Sequence, residues 1–201
     1  MELAKKCAVH DCNRPIWRNR SRFCGRHMNL HNAHGHPVAK AIPDREFNQR
    51  REWIDRGLVR YSNTKAYNAA LRMADELLNY EPSHQFTVLL QMQRRLRILQ
   101  GAGITPLDVV RRVCAYVAYI RLHPRPDQRS EDYGLARAVL RLAPLEGFRP
   151  QGRLLKFLGP EIRERLYVFA NAFLDRLERD ESERRARLAD SADFNTQETR
   201  P

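Results

Sequence analysis

Residues 105–122 read TPLDVVRRVCAYVAYIRL. Thr105 offers a side-chain oxygen as an N-cap. Pro106 takes the first helical position, where a missing N–H costs nothing, and Asp108 stands third, where an acid answers the cap and suits the positive end of the helix. Beyond that start the segment is apolar nearly all round, through Leu107, Val109, Val110, Val113, Cys114, Val117 and Ile120. Such a helix needs other helices to cover it on most sides, so 105–122 predicts the centre of a helical body. Cys114 there reads as a packing thiol.

Working outward, Gly101-Ala102-Gly103 separates this helix from one running from Ser83 to about Gln100. Its spacing turns Phe86, Leu89, Leu90, Leu96 and Leu99 inward and leaves Arg94, Arg95 and Arg97 as an outer cationic ridge. Earlier, Ser62 or Asn63 caps a helix to about Tyr80, with Ala66, Ala70, Met73, Leu77 and Tyr80 at helical spacing. Before that, Asp44 caps one to about Leu58, with Phe47, Ile54 and Leu58 on one side and Arg45, Arg50, Arg51 and Arg56 on the other; Trp53 reads as packing. After the central helix, HPRPDQR (123–129) is a rigid loop, Ser130 starts a helix through Leu142, and 143–153 reads as loop. Gly159-Pro160-Glu161 then opens a last long helix, striped by Ile162, Leu166, Phe169, Phe173 and Leu177. That stripe, at 160–180, is also a place for a protein partner or a second copy to dock. A helix-turn-helix reading of 83–100 with 105–122 fails on the second helix, which has only Arg111, Arg112 and Arg121 to offer a groove.

The N-terminal stretch Cys7–His36, CAVHDCNRPIWRNRSRFCGRHMNLHNAHGH, holds three of the four cysteines and five of the seven histidines. Cys7 and Cys12 form a C-x4-C pair, Cys24 and His27 a C-x2-H pair, and eleven residues lie between the pairs. Zinc favours four such ligands in a tetrahedron. Two close pairs across a short loop supply them with little chain strain, so Cys7, Cys12, Cys24 and His27 are the expected metal ligands and Zn2+ the expected cofactor. His31 lies one helical turn beyond His27 and is the alternative fourth ligand. The run after Gly25 predicts a short helix carrying Cys24 and His27 in its first turn, a treble-clef or zinc-ribbon-like module. A site with four protein ligands and no open position is structural.

The string C-x4-C-x-R-P (Cys7, Cys12, Arg14, Pro15), then C-x2-H (Cys24, His27), then His34-Gly35-His36-Pro37, resembles a small zinc motif of phage and mobile-element proteins that often precedes an HNH endonuclease domain. The resemblance covers about the first fifth of the chain. It implies zinc and points to nucleic acid. It does not imply cleavage, because no HNH domain is visible downstream: after residue 36 only His84 and His123 remain.

Charge supports the same direction. The net charge is +12 and the pI about 10.1, a balance that favours anionic partners. Residues 1–60 carry +7, residues 61–160 another +7, and residues 161–201 carry −2. The loop between the ligand pairs is dense in cations. Lys5, Lys6, Arg14, Arg18, Arg20, Arg22 and Arg26 form one candidate phosphate-contacting patch, with Trp17 as a base-stacking platform or a cover for the metal site. Arg50, Arg51, Arg94, Arg95 and Arg97 would extend it. Motifs for phosphate-cradling glycine loops, serine hydrolases and zinc peptidases are absent, as are an apolar leader and any membrane-length apolar run, which predicts a cytoplasmic, non-membrane protein.

The expected architecture is therefore mainly α: a zinc-binding module at 1–37, a linker at 38–43, a bundle of five to six helices at 44–189, and a disordered tail at 190–201. The expected function is non-catalytic, zinc-dependent nucleic-acid binding, with DNA ahead of RNA. A zinc-stabilised adaptor or inhibitor that binds a host protein is the alternative. An HNH-like nuclease using His27, His31, Asn32, His34 and His36 is the third.

Overall fold

The computed structural model describes residues 6–16, 21–144, 150 and 152–197, with side chains described up to residue 189. The chain is mainly helical. In order, the helices are α1 (Gly25–His34), α2 (Asp44–Asn48), α3 (Arg51–Arg60), α4 (Lys65–Leu78), α5 (Thr87–Gly101), α6 (Pro106–Leu122), α7 (Gln128–Leu140), α8 (Gly152–Ile162) and α9 (Val168–Gln197). A π-helical turn, Arg163–Tyr167, joins α8 to α9.

Helix α6 starts where its sequence dictates. The Asp108 N–H donates to the Thr105 hydroxyl at 3.3 Å, and the Thr105 N–H donates back to the Asp108 carboxylate at 3.0 Å. From Val109 to Ile120 most of its side chains are buried, and α2, α3, α4, α7, the π turn and α9 pack around it. An apolar surface this wide is favourable only in the middle of the body, and it leaves no face to enter a groove. Cys114 is fully enclosed, and burial pushes its thiol well above the ordinary range. It takes no part in the metal-capable cluster.

Several boundaries differ from the sequence expectations, for local reasons. The helix expected over 44–58 is broken at Gln49-Arg50 into α2 and α3, which still bury Phe47, Ile54 and Leu58. Thr64 caps α4 in place of Ser62 or Asn63, accepting from the Tyr67 N–H at 3.2 Å. Asp127 caps α7 three residues ahead of Ser130, and the two form a reciprocal box. The helix expected to open at Gly159-Pro160-Glu161 is preceded by α8, which begins at Gly152 and runs through Pro160. A helix-interior proline costs about 3 kcal/mol. Leu154, Leu155, Leu158 and Ile162 are all buried around it, at about 1.5–3 kcal/mol for each full burial, so packing outweighs the local signal. The π turn follows at once. Its wider winding carries the buried stripe from Leu166 to Ala170, with Phe169 only partly buried.

Helix α5 buries Leu96 and Leu99 and exposes Arg94 and Arg97 as expected, but three positions depart from the expectation. Met92, Arg95, Leu96 and Leu99 are buried, whereas Phe86 and Leu90 are 64 % and 42 % exposed. The backbone of α9 continues as helix to Gln197, into the stretch whose composition suggested a disordered tail. Among the described residues no helix is long and apolar enough to cross a membrane.

The N-terminal module sits against the body through α1, which packs on α7 and α8. Gly35 ends α1 at φ +81°, and a β-carbon there would lie 2.9 Å from the Arg129 carbonyl oxygen, so glycine suits both the left-handed turn and the close approach. The stretch read as a linker is held down as well: Ala39 and Ile42 are buried, and the carbonyls of Lys40 and Ile42 accept from Arg125 and Arg141.

Candidate metal centre

The first ligand pair lies on a tight turn. The Cys12 N–H donates to the Val9 carbonyl at 3.1 Å, and Asp11 takes the left-handed conformation that a short polar side chain tolerates. Two neighbours brace this turn. The Cys7 N–H donates to Arg14 O at 3.0 Å, the Ala8 N–H donates to Arg22 O at 2.9 Å, and Lys6 bridges to Pro15. The second pair lies on α1. Cys24 caps the helix and its carbonyl accepts from the Met28 N–H at 2.9 Å, which places His27 in the first turn beside it, as the spacing predicted.

These elements bring the four side chains together. The ligand atoms of Cys7, Cys12, Cys24 and His27 all lie within 4.8 Å of one another. The His27 Nδ1 is 3.3 Å from Cys7 Sγ and 3.6 Å from Cys24 Sγ, and the sulfurs of Cys12 and Cys24 are 3.9 Å apart. Cys7 and Cys24 are buried. Burial alone would raise the Cys7 thiol. Backbone hydrogen bonds from Cys24 and Val9, and contacts with His27 and Cys12, outweigh it and bring the thiol down to about 6. The group could hold a metal ion. Among the described residues it is the one such cluster of His, Cys, Asp or Glu side chains. His31 stands outside it, with its ring against Phe23 at a centroid distance of 5.4 Å, so the histidine of the cluster is His27.

The expected phosphate-contacting residues are distributed as follows. Lys5, Trp17, Arg18 and Arg20 lie outside the described residues. Lys6, Arg14, Arg22 and Arg26 are exposed on the module. Arg50 places its guanidinium over the Trp53 ring at 5.7 Å, and Arg51 pairs with Asp55 at 3.6 Å. Arg94 and Arg97 are exposed on α5. Arg95 is 6 % exposed and is not part of that ridge: buried positions on α5 recur at 92, 95, 96 and 99, which turns residue 95 into the core. The module, α2–α3 and α5 do not pack substantially on one another, so these arginines sit on separate parts of the body.

The stripe on α8, the π turn and α9 that was read as a possible docking face is largely taken up within the chain, with Ile162, Leu166, Phe173 and Leu177 buried; Val168, 78 % exposed, faces out. One cationic group escaped the sequence reading altogether. His34, Lys40, Arg125, Arg137 and Arg141 line one small hollow where the module meets the body, beside apolar residues such as Ile42 and Phe47. Burial and then the charges of Arg137, Arg125 and Arg141 push the His34 imidazole down to about 4. The only hint in the sequence is that Arg137 and Arg141 stand one turn apart on a helix without an acid beside them.

Comparison with protein families, characterised proteins and solved structures finds no match for this chain.

Proposed function

We propose that this chain is a zinc-stabilised, non-catalytic nucleic-acid-binding protein, with DNA preferred over RNA, of the phage or mobile-element type that its N-terminal motif resembles. Zinc suits the donor set. Bonds of about 2.3 Å to sulfur and about 2.0–2.1 Å to nitrogen in a tetrahedron give edges of about 3.8 Å between sulfurs and about 3.6 Å between sulfur and nitrogen. Three of the six separations are 3.9 Å between the sulfurs of Cys12 and Cys24, and 3.3 and 3.6 Å from Cys7 and Cys24 to the imidazole, and all six lie within 4.8 Å. All four positions are filled by protein, which fits a structural ion. When bound, it would tie the turn of Cys7 and Cys12 to the start of α1.

The observation that carries the nucleic-acid reading is the state of the cations on that turn. Lys6, Arg14, Arg22 and Arg26 are exposed, and none pairs with a carboxylate among the described residues. By contrast, four arginines of α6 and the π turn are neutralised: Arg111 by Asp55 and Asp108, Arg112 by Asp44, Arg121 by Asp175 and Glu178, Arg163 by Glu131 and Asp132. Because the Arg14 and Arg22 carbonyls are bonded to the ligand-bearing turn, a metal there would also set where these side chains start. The test is binding of metal-loaded protein to labelled duplex DNA at about 50 and 200 mM salt, beside RNA of the same sequence. Affinity should fall by orders of magnitude with salt, and the triple variant Arg14→Gln/Arg22→Gln/Arg26→Gln should flatten the slope by about 0.9 for each lost phosphate contact. Absence of binding at 50 mM would overturn the reading.

A second reading, protein binding, draws on α5. Phe86 and Leu90 are exposed one turn apart, followed on the same face by exposed Arg94 and Arg97. It predicts a stoichiometric complex that tolerates 200 mM salt. The nuclease reading has less support, since a divalent cation beside His34 would face the guanidiniums of Arg125, Arg137 and Arg141.

A further inference from the structure

We propose that the seam between the metal module and the helical body, at His34, Lys40, Arg125, Arg137 and Arg141, seats one phosphate group. The site is new to the nucleic-acid reading and rests on it only for the source of the phosphate.

The five side chains come from three places. His34 closes α1, Lys40 lies in the stretch that follows, and Arg125, Arg137 and Arg141 come from the approach to α7, its last turns and its end. Three guanidiniums thus act on the His34 ring, and Lys40 lines the same hollow together with the uncharged Ala41, Ile42, Phe47, Gly134 and Ala138. Opposing charge is scarce: among the described residues the carboxylate paired with any of them is Asp44, 3.9 Å from Arg141 and closer, at 3.2 Å, to Arg112. Each guanidinium instead gives one N–H to an uncharged backbone oxygen. Arg137 donates to Ala33 O at 2.7 Å, Arg125 to Lys40 O at 2.8 Å and Arg141 to Ile42 O at 2.7 Å. These bonds orient the guanidinium planes and leave further N–H groups on each. Arg125 Nε is buried with no acceptor among the described residues. Buried donors nearly always have a partner, so this one marks a place where an acceptor belongs.

Like charges gathered at a seam repel, and a bound anion removes that repulsion. The depression of His34 to about 4 registers the field: with burial, the three guanidiniums keep the ring neutral, so at neutral pH it can donate one N–H to an anion. The hollow measures about 10 Å³, room for about one oxygen atom, so one corner of a tetrahedral oxyanion is the most that enters it. Lys40 is exposed and the three arginines are partly so, which leaves the remaining oxygens of the anion facing solvent. Guanidinium groups match phosphate through parallel N–H donors, and a phosphodiester in a chain presents such a corner.

The experiment uses the full metal-loaded chain and inorganic phosphate as probe. Thermal unfolding and calorimetry are run with increasing phosphate, and with chloride at matched ionic strength. The expected result is a saturable rise in Tm with phosphate alone. It should vanish in Lys40→Gln/Arg125→Gln, with metal content and far-UV circular dichroism unchanged. Lys40→Gln alone, at an exposed position, covers the case of a double variant that fails to fold; it should raise the phosphate Kd at least threefold. An equal rise with chloride, or an undiminished one in both variants, overturns the proposal. A second arm identifies the source. If phosphate displaces labelled DNA more than chloride does from the parent protein, and not from the variant, the seat belongs to nucleic acid. Phosphate binding without such displacement keeps the seat and removes nucleic acid as its occupant. Loss of DNA binding by the Arg14/Arg22/Arg26 variant together with an intact phosphate response would separate the two sites.

Discussion

Arg137 on α7 donates from Nε to the carbonyl of Ala33 in the last turn of α1, over 2.7 Å. One side chain of the body thereby holds the helix that carries Cys24 and His27. A charged donor on a partly buried carbonyl contributes about 1.5–3 kcal/mol. Arg137→Met should therefore lower stability by about that amount while keeping the aliphatic packing. It should also speed extraction of metal by a chelator, because the module can then leave α7. Chemical denaturation and a chelator time course check both effects; unchanged extraction would mean that the module is held without this bond.

Thiol chemistry separates the four cysteines. With one zinc per chain, Cys7, Cys12 and Cys24 should be protected from a thiol reagent, and a chelator should release three reactive thiols. Cys114 is fully buried and should react only on denaturation. Cys24→Ala should abolish stoichiometric metal uptake, and Cys114→Ala should leave it intact. Four thiols reacting together after chelation would show that the body does not stand without the metal.

Acid should weaken the seam. The His34 imidazole is depressed from its ordinary 6.5 to about 4, and burial together with Arg129 and His36 lowers His31 in the same direction. Between about pH 6.5 and 4 the unfolded chain therefore binds protons that the folded chain refuses, so the His34 contribution is fully present above pH 6.5 and is lost as pH falls towards 4. Comparing His34→Gln with the parent isolates this term from metal release: the variant should show a shallower loss of Tm across that window. Parallel curves would refute the assignment.

The arginine of the π turn ties α7 to the junction of α8 and α9. Arg163 meets Asp132 at 2.5 Å and Glu131 at 2.9 Å, and lies 4.4 Å from the centre of the Tyr167 ring. Burial pushes the Asp132 carboxyl above the ordinary range even with this partner. Arg163→Met would leave a largely buried carboxylate unpaired and should cost about 3–5 kcal/mol. The companion variant Arg163→Met/Asp132→Leu should recover part of that loss, measured by urea denaturation.

Much of this protein was determined by sequence. The start of α6 follows from Thr105, Pro106 and Asp108, and its central position from an apolar surface that water would penalise on nearly every side. The grouping of Cys7, Cys12, Cys24 and His27 into a cluster that could hold a metal ion follows from C-x4-C and C-x2-H, because the members of each pair, close in sequence, are already close in space. Tertiary structure decided what depends on distant neighbours. The width of the buried face of α5 is set by what packs on it, so Arg95 is buried beside the expected Leu96 and Leu99, while Phe86, at the N-cap, and Leu90 are exposed. Helix α8 runs through Pro160 because buried leucines outweigh a local stop signal. The cluster at His34 joins residues about a hundred positions apart, and no periodicity in a chain registers which arginines will meet once α1 docks on α7.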